Sequence, residues 1–175
     1  MKRIVAALAV AAVFAAGAAM AVTPVQPAHK AVKGEEYHHL LMLDVREAGE
    51  HARTLQHYAL THEKNLDRAV VAKHLDELSR NLDGVQTELA QVDQQMGTTE
   101  KPAMQASLTT IGDQQKIARE NLDLLRTELA KATPEASVIA QKSEAIAKAM
   151  AVAGEHHRRI MTKRGVHEVP ATTKP

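Results

Sequence analysis

Four stretches of this chain place apolar residues at alternating steps of three and four, which lines them up in one stripe along a helix. Such a stripe is buried only against other helices, so the spacing predicts an all-α fold: an antiparallel up-down four-helix bundle, or long helical coiled-coil hairpins. In chain order the first stripe runs His38, Leu41, Val45, Ala48, Ala52, Leu55, Ala59. The second runs Val71, Leu75, Leu78, Leu82, Val85, Leu89, Val92, Met96 and stops at Gly97. The third runs Met104, Leu108, Ile111, Gln115, Ala118, Leu122, Leu125, Leu129, with Pro102 near its start, where a missing N–H costs nothing. The fourth, opening at Pro134, runs Ile139, Ser143, Ile146, Met150, Ala153, His157, Ile160 and stops before Gly165. No proline or glycine separates the first two stripes, but they are out of phase. The phase change predicts a turn between Ala59 and Val71, with Thr61 and Asn65 as candidate caps; one long bent helix is the alternative.

Ahead of the bundle lies a segment built for export. Lys2 and Arg3 precede the uncharged apolar run Ile4 to Ala16, and Ala19-Met20-Ala21 supplies the small-residue pattern that signal peptidase accepts. We expect residues 1–21 to be a cleaved signal peptide, 22–34 a flexible linker marked by Pro24 and Pro27, 35–164 the helical bundle domain and 165–175 a disordered tail. The apolar run is too short to remain as a membrane span, so the mature protein is expected in the periplasm or outside the cell, with no stable span after cleavage. Cleavage changes the formal charge from +1 to −1 and removes Phe14, the only phenylalanine. The remainder, with Tyr37 and Tyr58 as its only aromatic rings besides histidine, must form its core from Leu, Ile, Val, Ala and Met, which suits helices rather than sheets. Near-neutral charge argues against nucleic acid as a partner. With no cysteine in the chain, lipid attachment, disulfides and thiolate ligation are excluded. An Asn-Leu-Asp and Thr-Glu-Leu-Ala echo at residues 81–90 and 121–130 fits either a duplicated hairpin or chance repetition among helix formers, and carries no chemistry.

One localised lead to chemistry remains. Up-down topology gathers the start of helix one, the end of helix two, the start of helix three and the end of helix four at one end of the bundle. Those places hold His38, His39 and Met42, then Met96, then Met104, then His156, His157 and Met161. His38 with Met42, and His157 with Met161, are each four residues apart and share a helix face. Imidazole suits copper, zinc, nickel and iron, while a thioether selects Cu(I), so the eight residues are read as a candidate metal site, copper first. The competing reading has methionines filling a core and histidines opposing a helix dipole.

An exported bundle with Met42 near the start of helix one and a histidine near the end of helix four also resembles the periplasmic four-helix cytochromes. That resemblance implies haem held between helices; the absence of Cys-x-x-Cys-His makes any such haem non-covalent. Di-iron chemistry lacks its second Glu-x-x-His, and no nucleotide loop, Gly-x-Ser-x-Gly elbow or His-Glu-x-x-His is present, so no enzymatic activity is expected. Three functions therefore stand side by side: copper binding, non-covalent haem binding, and a cofactor-free adaptor, chaperone or stress-related protein that contacts other envelope proteins or itself through its helices. Histidine adds a possible pH response. His51, His57 and His62 lie toward the opposite end, with His74 beside the second stripe; they are read as partly exposed, solvated histidines, with a weaker second site as the alternative, and His29 and His167 are given no role.

Overall fold

The structure, a computed structural model, describes residues 34–167. The export signal expected over 1–21, the linker apart from Gly34, and residues 168–175 lie outside the described residues. Four helices fill nearly all of the rest: α1 (Glu35–Thr61), α2 (Arg68–Gln95), α3 (Lys101–Ala130) and α4 (Ala136–Arg164). Each helix packs on its two neighbours in the ring α1–α2–α3–α4, and successive helices run antiparallel. The chain is thus an all-α antiparallel four-helix bundle. Among the described residues no helix is long and apolar enough to cross a membrane.

The stripes read from sequence are the core. Every position of the α1 and α4 stripes is buried, His38, Ser143 and His157 included. In α2 only Leu89 is partly exposed, and in α3 only Gln115 and Leu129 depart from full burial. Gln115 uses its amide, donating from Nε2 to the Leu82 carbonyl at 3.2 Å. Leu129 cedes its place to Glu128, whose carboxylate accepts the Glu135 N–H at 2.8 Å and pairs with Lys131 at 2.6 Å. Those bonds hold the Glu128 pKa below the usual carboxylate value, the Lys131 contact contributing most, and tie the end of α3 to the start of α4.

The break between α1 and α2 is real and spans residues 62–67. Thr61 ends α1, its hydroxyl donating to the His57 and Tyr58 carbonyls. The cap of α2 is Asp67, whose carboxylate accepts the Ala69 N–H at 2.8 Å, in place of the expected Asn65.

Small residues set the distance between α1 and α4. A Cβ added at Gly154 would meet Val45 Cγ1 at 3.4 Å, and one at Gly49 would meet Met150 Cβ at 3.5 Å. With Ala48, Ala52, Ala149 and Ala153 all buried as well, the two helices pack closely and hold the N-terminal turn of α1 against the C-terminal turns of α4. Gly165 and Val166, which the sequence reading puts in the tail, close that end. Gly165 is left-handed (φ 71°), its N–H bonds the Thr162 carbonyl, and the Val166 N–H bonds the Met161 carbonyl at 2.9 Å, the paired pattern of a Schellman cap. Val166 is buried beneath it.

Because the core is one layer of aliphatic side chains, truncation at its centre is costly. Leu78→Ala, at a fully buried position, is expected to lower unfolding free energy by about 2–5 kcal/mol, read as a lower urea midpoint at unchanged slope.

Candidate metal centre at the bundle end

Two of the expected residues meet. His38, in the first turn of α1, and His157, two turns before the end of α4, are both fully buried, with Nδ1 of His38 3.0 Å from Nε2 of His157. Their rings lie nearly parallel, 12° apart, with centroids 5.2 Å apart. A third group fixes the protons. Arg164 Nη1 lies 2.8 Å from Nε2 of His38, and a guanidinium can only donate. His38 therefore accepts at Nε2 and carries its proton on Nδ1, which donates to Nε2 of His157; His157 in turn carries its proton on Nδ1. That last N–H is buried with no hydrogen-bond partner among the described residues.

Both rings are neutral at pH 7. Burial, reinforced by Arg164 and His39 against the weaker pull of Glu35 and Glu100, lowers the His38 pKa to about 4. Burial also dominates at His157, with His38, His39 and Arg158 adding to it, and lowers its pKa to about 3. Neutral imidazole is the form that ligates a metal. Arg164 itself is almost wholly buried, with Nη2 3.6 Å from the Glu100 carboxylate that closes the α2–α3 turn on the Gly97 N–H.

The remaining expected residues surround this pair with varying closeness. Met42 and Met161 each stand four residues beyond a paired histidine, about 6 Å along the helix. Because α1 and α4 are antiparallel, they flank the imidazoles on opposite sides. Met161 is buried and Met42 half-buried. Met96 and Met104, at the end of α2 and the start of α3, are buried at the same end as part of the continuous apolar core. His39 turns outward to Glu35 at 3.6 Å, and His156 is half-buried with Nδ1 enclosed. A cavity of about 260 Å³ opens at this end and is lined by Arg158, Met161, Thr162, Gly165, Val166 and His167, giving Met161 a route to the exterior.

Among the described residues no three His, Asp or Glu side chains stand together in metal-holding geometry. A metal at the end pair would therefore take its third donor from a thioether, which selects for a soft ion. Two nitrogens bound at about 2.0 Å with a tetrahedral angle stand about 3.3 Å apart, a few tenths beyond the 3.0 Å between these rings. The donor set fits Cu(I) once the shared proton leaves the space between the nitrogens.

Sequence reasoning missed two features. Arg164 is one: its spacing of seven from His157 puts both on one helix face, which is the signal that could have found it. The second is a contact between His51 and His74, Nδ1 to Nδ1 at 3.4 Å, across α1 and α2. His57 and His62 do not join it: His57 is exposed, and His62 caps α1, stacked on Tyr58 with centroids 4.4 Å apart.

No protein-family model, curated protein or solved structure matches this chain, so the functional reading rests on its own residues.

Proposed function

We propose that this chain is an exported helical-bundle protein that binds one Cu(I) ion at the end of the bundle, through His38 Nδ1 and His157 Nε2 with thioether donation from Met161 and Met42. The observation that carries the reading is the 3.0 Å approach of two neutral imidazole nitrogens from opposite ends of the sequence, with methionines one turn to either side. His39, His156, Met96 and Met104 form the surroundings of the ion. Loading moves the His38 proton from Nδ1 to Nε2. Two donors then face each other, so Arg164 swings from His38 to Glu100, already 3.6 Å from its Nη2. Metal occupancy is thereby coupled to the seating of the α4 terminus. An exported, thiol-free protein holds copper with no disulfide chemistry to manage.

The test is a Cu(I) titration against a chromophoric competitor. One tightly bound equivalent per chain is expected, and Met161→Leu, which conserves volume, is expected to weaken it at least tenfold. No uptake in competition removes the reading.

A second reading is favoured by one specific observation. The chain Arg164–His38–His157 is hydrogen-bonded without any ion. On that reading the protein is a cofactor-free envelope adaptor or stress-related helper, the triad latches α4 to α1, and partners or a second copy dock on its helices, whose outer faces expose Leu40, Leu43, Ile117 and Leu124. Non-covalent haem is the third option, and an absorption spectrum after haem loading decides it.

A further inference from the structure

The second histidine contact lies well away from the first, on the face shared by α1 and α2. His51 follows His38 by thirteen residues, about 20 Å along α1, and is half-buried like His74. The geometry of this pair differs from that of the end pair. Its rings are tilted by 56°, and the Nδ1 atoms stand 3.4 Å apart, beyond the usual range for an N–H···N bond. Two imidazole nitrogens bound tetrahedrally to one zinc at about 2.05 Å are separated by about 3.35 Å. The separation therefore matches two ligands of one ion better than donor and acceptor of one bond.

The pair is part-exposed and carries charges of both signs around it. Glu77 lies one turn along α2 from His74 and close enough to act on it electrostatically, and Glu47 lies one turn before His51 on α1. Lys73, exposed on α2, acts on His74 in the opposite sense and more strongly than Glu77, which is paired with the exposed Arg80. No methionine occupies the adjacent turns of either helix, so the donor set is imidazole and oxygen rather than sulfur. That chemistry suits a borderline divalent ion and disfavours Cu(I).

We propose that His51 and His74 form a second metal site, bridging α1 and α2, that takes a divalent transition-metal ion of the zinc class through both Nδ1 atoms, with water completing the coordination. Both rings reach solvent, so exchange is fast and affinity moderate, as suits uptake or hand-over of an ion rather than permanent burial.

Calorimetric titration of the folded protein with Zn(II) alone tests this. One equivalent with micromolar-range affinity is expected, and His51→Asn or His74→Asn should each weaken that equivalent at least tenfold, with the circular dichroism spectrum unchanged. Met161→Leu, which bears on the Cu(I) site, should leave it unaffected, so the two sites fail or survive separately. No zinc uptake, or uptake equal in the wild type and both asparagine variants, overturns the proposal.

Discussion

Acidifying the metal-free protein from pH 7 to pH 5 is expected to destabilise the bundle by about 3 kcal/mol, seen as a lower urea midpoint. His38 and His157 ordinarily titrate near 6.5, and burial lowers them to about 4 and about 3. A group with a depressed folded pKa that is neutral when deprotonated leaves the unfolded chain binding more protons between the two values. Stability therefore falls as pH drops below 6.5, and continues to fall until the folded rings themselves titrate. Each unit of the gap is worth about 1.4 kcal/mol, so at pH 5 each ring loses about 2 kcal/mol. The neighbouring charges are already within these shifts: Arg164 and His39 lower His38 against Glu35 and Glu100, and His38, His39 and Arg158 lower His157.

Asp44 works in the other direction. Burial, with Glu47 and Glu88 nearby, raises its pKa to about 6, so the folded state binds its proton first and gains stability on reaching pH 5, an effect that solvent screening of this part-exposed carboxyl keeps smaller than the loss at the histidines. Asp44→Asn should remove that offset and steepen the acid loss. A His38→Leu, His157→Leu double variant should flatten it. A stability profile level from pH 7 to pH 5 would contradict the buried, neutral assignment of both rings.

The second large effect is stabilisation by copper. An ion that binds only the folded chain stabilises it by about 4 kcal/mol when free metal exceeds the dissociation constant about a thousandfold. For a bundle of this size that raises the melting temperature by roughly 10 °C or more. Differential scanning with and without buffered Cu(I) measures it. His157→Leu should abolish the copper-dependent increment while keeping a cooperative transition, because an apolar side chain of similar size replaces a buried ring.

The bundle itself was legible because burial between helices imposes a period, and the period survives in the positions of Leu, Ile, Val, Ala and Met. Even the α1–α2 break followed from phase alone, without a glycine or proline. Its cap was not legible: Asn65 and Asp67 are equally good candidates by type, and backbone geometry at the turn decides for Asp67. Leu129 and Glu128 could not be told apart either, because the last turn of α3 obeys the capping needs of Glu135 rather than the period.

The candidate site was partly legible for the same reasons. His38 and His157 both sit on stripe positions, and antiparallel topology brings the ends of α1 and α4 together, so their meeting follows from pattern plus connectivity. The Arg164 bond that orders their protons does not. A surface cation in the last turn and a buried one look alike in sequence, and here the Arg164 side chain turns in to His38 and Glu100. The His51–His74 contact was hidden because helical phase specifies a face but not the axial register of two neighbouring helices. That register is set here by the length of the 62–67 turn.

Cu(I) is diamagnetic, so the central claim can be read at the two nitrogen atoms themselves by long-range proton–nitrogen NMR of the histidine rings. In the metal-free protein at pH 7 His38 and His157 are expected as neutral rings, each protonated on Nδ1. One equivalent of Cu(I) should shift His38 Nδ1 and His157 Nε2 to metal-bound values and move the His38 proton to Nε2, with His51 and His74 unchanged. Rings left as they were by bound copper, or either ring charged at pH 7, would contradict it.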